Sequence, residues 1–158
     1  MPRQQHPVDT APVPAPAPFV PRRVVEMGSA ESLRLLAGAP MGRIVFTQRA
    51  LPAIRPVNHI VDGGDIVLRT HEGAALAAQI SQVDADGVVV AYEADDIDPA
   101  TGLGWSVVAT GFCRMVTDAD QVARYEARIH PWTDQRLDSV VRITPDLITG
   151  VRLTGADG

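Results

Sequence analysis

The chain has 158 residues, a hydrophobic fraction of 46% and a formal net charge of -5, which together are typical of one globular domain with a single core. The acidic balance argues against a nucleic-acid partner, since binding to a phosphate backbone needs a basic surface. No apolar run approaches the ~20 residues that span a bilayer, so the sequence also argues against membrane insertion. All 14 basic residues are arginine, which excludes lysine Schiff-base chemistry and leaves arginine as the permanent cation for an anionic ligand.

The N-terminal region differs in composition from the rest of the chain. Residues 13–18 alternate proline with small residues, which favours an extended conformation that cannot pack by itself. We expect a disordered arm over 1–26, either without a role or wrapped around a second subunit, and one folded domain over 27–158. The region lacks the pattern of a secretory signal, and the single cysteine, Cys113, excludes an intrachain disulfide, so we expect a cytoplasmic protein.

The first half of the domain is predicted as one helix followed by three strands. The helix begins at Ser29 and ends near Gly38, and the strands cover 42–48, 52–61 and 65–70. A turn at 62–64 predicts a hairpin between the last two strands. Pro56 cannot donate a ladder hydrogen bond, so the second strand is expected at a sheet edge, at a bulge or against a ligand.

The second half alternates between strands and helices. A helix of small residues is predicted over 73–81, a strand over 87–93, an acidic loop over 95–99 and a long strand over 105–116. A third helix begins at Thr117 and ends before Pro131, and strands over 139–144 and 147–153 follow. About seven strand segments and three helices favour a mostly antiparallel β-barrel with peripheral helices.

A candidate anion site lies where the third strand meets the helix of small residues. Arg69 and Thr70 end the strand, and Gly73 and Ala74 open the helix without bulky side chains. An arginine fork, a hydroxyl and the free amides of a first helical turn together suit a phosphate. The alternative is a solvated arginine at the end of a strand.

Two further segments are candidates for contact with a flat ligand. The amide of Asn58, close to Pro56, suits the polar edge of a ring, although an edge strand with a polar outer face explains it equally well. Trp105, followed by Ser106, either stacks on a ligand, covers a subunit interface or packs in the core. No histidine or aspartate spacing matches a zinc or calcium site, so we predict no metal.

An ordered set of blocks resembles a known family. The blocks are MGRIVF at 41–46, LPAIRPVNH at 51–59, IVLRT at 66–70, Gly73, and GWSVV at 104–108 with Gly111. Together they resemble the pyridoxamine 5'-phosphate oxidase-like flavin-binding split barrels, in the branch of nitroimidazole-resistance-type proteins. The resemblance covers residues 27 to 153.

The resemblance implies a mostly β, six-stranded split barrel that forms a homodimer with FMN in two clefts at the subunit interface. It also implies ten cofactor-binding residues, of which the last two reach the site of the other subunit: Arg55, Pro56, Val57, Asn58, Arg69, Thr70, Gly73, Ala74, Trp105 and Ser106.

One departure affects the expected cofactor and function. Many relatives carry a lysine shortly after the glycine of the phosphate-binding helix, and this chain has Ala75 there. The resemblance therefore implies FMN, with deazaflavin and haem as alternatives. It implies either an oxidoreductase that acts on a small molecule, with a nicotinamide as candidate electron donor and His59 or His71 as candidate proton donor, or a binding protein without turnover. Pyridoxamine oxidation itself is not implied, because a fold does not determine a function.

Overall fold

The computed structural model describes residues 15, 18, 20–71, 74–83 and 86–156. The three helices are α1 (Ser29–Gly38), α2 (Ala75–Gln82) and α3 (Ala119–Arg128). The strands are β1 (Arg23–Met27), β2 (Gly42–Gln48), β3 (Leu51–Val57), β4 (Ile60–Asp62), β5 (Asp65–Thr70), β6 (Val88–Ile97), β7 (Gly104–Met115) and β8 (Ser139–Thr154). None of the helices in these described ranges is long and apolar enough to cross a membrane.

The strands form one antiparallel sheet in the order β3-β2-β6-β7-β8-β5-β4, and β1 pairs with β8 beside this path. No pairing between β3 and β4 closes the sheet within the described part of the chain. The mostly β class is confirmed, but the sheet has eight strands and is open, where a six-stranded barrel was expected. The difference arises because β1 adds to the edge of β8, and because residues 52–61 divide into two strands that pair with different partners.

Strand β1 corrects the boundary of the predicted arm. Arg23–Met27 pairs with the end of β8, so the arm expected over 1–26 is wrong for residues 23–26. Val24 and Val25 have high strand propensity, and the free edge of β8 offers unpaired backbone groups. Residues 1–14, 16, 17 and 19 of that arm lie outside the described residues.

Two strands are longer than their sequence patterns indicated. β6 continues to Ile97, so the first residues of the expected acidic loop are strand residues that pair with the start of β7. The two strands expected over 139–144 and 147–153 are one strand, β8, with a register shift at Pro145 where it faces Gly111. Gly111 is needed there, because a Cβ atom would lie 2.0 Å from the carbonyl oxygen of Thr144.

Helix α1 begins at Ser29 as expected, α2 and α3 begin two residues later than expected, and two of the predicted caps are wrong. Gly28 caps α1 instead of Ser29. Asp118 caps α3 instead of Thr117, because its carboxylate is placed to accept a hydrogen bond from the amide of Gln121 at 2.9 Å.

The core consists of two buried clusters. The larger one lies between the sheet and helices α1 and α2, and includes Leu36, Leu76, Ile80 and Tyr92. The smaller one lies beneath α3 and consists of Val67, Val116, Tyr125, Ile129 and Val140. Cys113 is buried in the larger cluster, as expected for a small apolar thiol, and burial raises its pKa to about 12.

Candidate functional site

A cleft of about 370 Å³ opens between β3, the end of β5 and the start of α2, and residues from the α3–β8 connection form a further wall. Six of the ten predicted cofactor-binding residues line it: Arg55, Pro56, Val57, Arg69, Thr70 and Ala74. The remaining lining residues are Ile44, Phe46, Leu68, His71, Ala75, Leu76, Gln135 and Leu137.

Strand β3 provides one wall because it is an edge strand. It pairs only with β2, where Arg43 faces Pro56, and most of its residues are exposed. Of the alternatives that Pro56 predicted, a sheet edge, a bulge or a position against a ligand, the structure shows the sheet edge. The opposite edge of β3 has no strand neighbour in the described sheet, which leaves Arg55 to Val57 accessible from the cleft.

The cleft has a cationic lining. Arg55, Arg69 and His71 line it, and no aspartate or glutamate stands among the described lining residues. The Arg55 guanidinium donates to the carbonyl oxygen of Ile54 at 2.8 Å and lies 6.0 Å from the centre of the Phe46 ring, a cation–π distance. Neither arginine forms an ion pair within the described residues. The cleft therefore favours an anionic ligand.

Arg69 lines the cleft and also binds two backbone carbonyl oxygens of the α3–β8 connection. Its Nη1 donates to the carbonyl oxygen of Ile129 at 2.9 Å, and its Nη2 donates to that of Leu137 at 2.5 Å. Its Nε is buried without a hydrogen-bond partner among the described residues. A guanidinium has five N–H groups, so these two bonds leave donors available for an anion.

Helix α2 places its N-terminus at the same end of the cleft. Ala74 is the N-cap and has no side-chain cap, while Ala75 and Leu76 in the first turn line the cleft. Amides of a first helical turn have no partner within the helix, so they are free for an anion or water. Gly73, predicted to open this helix, lies outside the described residues.

Asn58 does not line the cleft. Its Nδ2 donates to the carbonyl oxygen of His130 at 2.7 Å, so the amide joins the β3–β4 connection to the end of α3. In this conformation the amide binds the α3–β8 connection and not the polar edge of a ligand ring.

His59 is buried away from the cleft, whereas His71 lines it. Both ring nitrogens of His59 have protein partners, namely the hydroxyl of Tyr92 at 2.5 Å and the carbonyl oxygen of Leu36 at 2.7 Å. Burial lowers the pKa of His59, and the hydrogen bond to Leu36 opposes that shift. Of the two histidines considered as proton donors, only His71 is placed to meet a ligand in the cleft.

Trp105 lies at a second cavity, of about 530 Å³, at the end of α1, and Ser106 follows it on β7. Neither residue lines the first cleft. The second cavity has paired charges, since Nη1 of Arg43 lies 3.1 Å from Glu93 and 3.5 Å from Asp95. Burial raises the pKa of Glu93, and the neighbouring Asp95 carboxyl adds to that shift. Arg34 and Arg43 line this cavity, but so do Asp95 and Asp96, and Arg43 is paired with carboxylates, so this cavity is the weaker site for an anion.

Comparison with known proteins agrees with the fold. Residues 28–152 match the pyridoxamine 5'-phosphate oxidase family. The chain belongs to this family. The family resemblance inferred from the ordered blocks is therefore confirmed.

Three similar proteins show how much of the chain is matched and at what sequence identity. The uncharacterized protein Rv0080 of Mycobacterium tuberculosis is 49% identical over 137 residues, which cover 87% of this chain and 90% of that protein. A Corynebacterium glutamicum protein named for pyridoxamine 5'-phosphate oxidase has a crystal structure with TM-score 0.69 and 32% identity, covering 84% of this chain and 99% of that one. The FAD binding protein of Mycobacterium smegmatis has TM-score 0.67 and 34% identity, covering 82% and 98%.

Sequence reasoning missed part of the cleft of this family member. Gln135 and Leu137 lie in a connection without regular secondary structure, so no periodic pattern marked them. Ile44 and Phe46 were visible only as apolar residues of β2, a pattern that a core strand shares. What brings all four to the cleft is the placement of β2 beside β3 and of the α3–β8 connection beside β5.

Proposed function

We propose that this chain binds FMN in the cationic cleft and uses it to oxidise or reduce a small molecule. The observation that carries the proposal is the charge of the cleft, in which Arg55 and Arg69 stand without a described carboxylate. The name of the Mycobacterium smegmatis relative, a FAD binding protein, supports a flavin as the class of ligand.

The residues present fit a phosphorylated flavin. The buried Nε of Arg69 lacks a described partner, and Arg69 lines the same cleft as Ala75 and Leu76 in the first turn of α2, whose free amides suit a phosphate. Ile44, Phe46 and Leu68 provide apolar cover for a ring, and about 370 Å³ falls within the ~300–1,000 Å³ range of ligand pockets.

Each part of the cleft has a role in this proposal. Arg69, Thr70 and the first turn of α2 hold the phosphate, while Arg55, Pro56 and Val57 line the ring. FMN, when bound, supplies the electron and hydride chemistry, and the protein supplies position and electrostatics. His71 is the histidine that lines the cleft, and its ring is the candidate proton donor to a ligand bound there.

A second copy of the chain completes each cleft in this proposal. Trp105 and Ser106 lie outside the cleft of their own chain, so they meet a ligand only if another subunit carries them there. Sedimentation equilibrium with and without FMN tests the homodimer, and a protein that stays monomeric at micromolar concentration with FMN bound contradicts it.

A binding protein without turnover is the second candidate. Ala75 replaces the lysine of many relatives, and two donors of Arg69 are already bonded to protein carbonyls, so the phosphate meets fewer free cationic donors. This favours storage or sensing of a flavin, a deazaflavin or haem over catalysis.

The absorption spectrum of the purified protein tests both candidates. Titration with FMN, FAD, a deazaflavin and haem is followed by anaerobic addition of NADH or NADPH to the loaded protein. Uptake of FMN with reduction and subsequent reoxidation by a small-molecule acceptor supports the oxidoreductase. Bound FMN that neither donor reduces favours the binding protein, and a protein that takes up none of the four cofactors contradicts both candidates.

A further inference from the structure

We infer that Asn58 and Arg69 are positioning residues that hold segment 129–138 as a wall of the cleft, and that this attachment controls how long a ligand stays bound. We call this segment, between α3 and β8, the wall segment. The inference rests on the proposed function for its ligand, but the attachment itself is testable without one.

The wall segment is attached by side chains. Arg69 donates to the carbonyl oxygens of Ile129 and Leu137 at 2.9 and 2.5 Å, close to the two ends of the segment. Asn58 donates to the carbonyl oxygen of His130 at 2.7 Å. Three donors from two residues on neighbouring elements therefore bind three backbone acceptors of one segment.

The wall segment is irregular and largely exposed between its ends. Residues 130–138 contain no helix or strand, and most of them are exposed. Trp132 is 61% exposed, which is unusual for so large an apolar side chain. Exposed segments without regular structure are the parts of a protein that open most easily, so we expect loss of any of the three side-chain hydrogen bonds to favour opening.

The wall segment separates two cavities. Gln135 and Leu137 line the proposed ligand cleft on one side. The same two residues, with Pro131 and Arg136, line a cavity of about 420 Å³ on the other side, and Arg69 lines both cavities. If the segment moves away from Arg69, the cleft loses a wall and opens toward this 420 Å³ cavity.

A substitution of Asn58 changes the attachment of the wall segment without changing a residue that lines the cleft. Arg69 carries a charge into the cleft and also holds the segment, so a change in Arg69 alters both properties. Asn58 is neutral and does not line the cleft, so its effect on a ligand passes through the wall segment. An effect of Asn58 on ligand release is therefore the distinctive consequence of the inference.

The first experiment measures the attachment without ligand. Trypsin cleaves after Arg136, which is exposed within the wall segment, and mass spectrometry identifies the fragments. Asn58→Ala and Arg69→Lys should each raise the initial cleavage rate at Arg136 about fivefold, as expected for the loss of one ordinary hydrogen bond. In a Trp105→Phe background, where Trp132 is the remaining tryptophan, both variants should also lower its fluorescence anisotropy.

Gln121→Ala is the matched control for this experiment. Gln121 has a side-chain amide on α3 that accepts from Arg142 at 3.4 Å, away from the wall segment. Cleavage at Arg136 and the anisotropy of Trp132 should match the unsubstituted chain in this variant. Equal cleavage rates in Asn58→Ala, Arg69→Lys and Gln121→Ala would overturn the inference.

The second experiment measures release of FMN. Asn58→Ala should raise the FMN dissociation rate about fivefold in stopped flow, while Gln121→Ala leaves it unchanged. Faster cleavage with an unchanged FMN dissociation rate would overturn the link between the wall segment and ligand release. If FMN does not bind the unsubstituted chain, the proposed function fails, and the cleavage rates alone then support or overturn the attachment.

Discussion

The hydroxyl oxygen of Tyr92 lies 2.5 Å from Nδ1 of His59, inside the larger core cluster. The other ring nitrogen, Nε2, lies 2.7 Å from the carbonyl oxygen of Leu36. A carbonyl oxygen only accepts, so Nε2 carries the proton and Nδ1 of the neutral ring accepts from Tyr92. The hydroxyl also lies 3.0 Å from the carbonyl oxygen of Val57, a residue of the cleft wall. Helix α1, β6 and the end of β3 are therefore joined through two buried side chains.

Tyr92→Phe should destabilise the fold and weaken FMN binding. The variant removes the one hydroxyl proton for which Nδ1 of His59 and the carbonyl oxygen of Val57 compete, and leaving a buried acceptor unpaired costs about 1–3 kcal/mol in the free energy of unfolding. Urea denaturation measures this loss, and FMN titration measures the effect on the cleft.

Tyr125→Phe is the matched control for Tyr92→Phe. Tyr125 is equally buried, and its hydroxyl bonds to Asp62 and Arg142, both at 2.6 Å, in the other core cluster. Stability should fall in both variants, but FMN affinity should fall only in Tyr92→Phe. Similar FMN affinities in the two variants would show that Tyr92 does not position the cleft wall.

Acidification should destabilise the protein through His59. Burial lowers the pKa of His59 in the folded chain, whereas the unfolded chain takes up the proton near a pKa of about 6.5. Below this pH the unfolded state binds more protons, so the free energy of unfolding falls, by up to about 1.4 kcal/mol per pH unit. The stabilising contribution is complete above pH ~6.5 and is lost as the pH falls toward the lowered folded value.

Urea denaturation at three pH values between about 7.5 and 5.5 checks this dependence. His59→Gln should be less stable at neutral pH and should show a smaller slope with pH. His130→Gln, at an exposed position, should keep the slope of the unsubstituted chain. A slope that persists in His59→Gln would assign the dependence to other groups.

Gly42→Ala should destabilise the fold, because the ring of Tyr92 occupies the space of a side chain at residue 42. A Cβ atom there would lie 2.5 Å from the Tyr92 hydroxyl oxygen and from Cε1. The ring is fully buried and bonded to His59, so it cannot move freely, and we expect a loss of about 1–3 kcal/mol in the free energy of unfolding.

Gly38→Ala should raise the free energy of unfolding, which is the opposite of the effect expected for Gly42→Ala. Gly38 lies in α1 with no atom within 4 Å of an added Cβ, so alanine should stabilise the helix by about 0.5–1 kcal/mol. Thermal melts of the two variants test the pair, and a Gly42→Ala protein as stable as the unsubstituted chain would contradict the close contact with Tyr92.

Arg69→Ala should weaken FMN binding more than Arg49→Ala. Arg69 lines the cleft at the proposed phosphate site, whereas Arg49 is exposed in the turn between β2 and β3. Loss of a hydrogen bond to a charged group costs about 1.5–3 kcal/mol, or roughly a 10- to 150-fold rise in the FMN dissociation constant. Equal dissociation constants by fluorescence titration would refute the assignment of Arg69.

Much of the local structure followed from the sequence. The strands over 42–48 and 65–70 have the predicted bounds, because their apolar residues recur at the period of a strand and glycines or turn residues flank them. An edge strand was among the alternatives that Pro56 predicted, since it lacks the N–H that a central strand needs. Six residues of β3 and of the β5–α2 junction that the sequence predicted to bind a cofactor line the cleft, and their contact with a cofactor stays a prediction.

The structure separated other predicted site residues according to their partners. Asn58 and Arg69 both carry groups that suit a ligand, yet both donate to carbonyls of the wall segment, which is 60 or more residues away in sequence. Trp105 stands at a different cavity from Arg55. Residue type shows what a side chain is able to bind, whereas the partner it meets depends on how distant segments pack.

The sequence by itself determined the positions of the three helices and of several strands, the mostly β class and the cationic character of two segments of the cleft, because these depend on residue type and local spacing. Only the tertiary structure decided that β2 pairs with β6, that β5 pairs with β8 and that the wall segment closes the cleft. These contacts join residues far apart in the chain. Backbone hydrogen bonds between strands are the same whatever the side chains are, so the sequence alone does not show which strands pair.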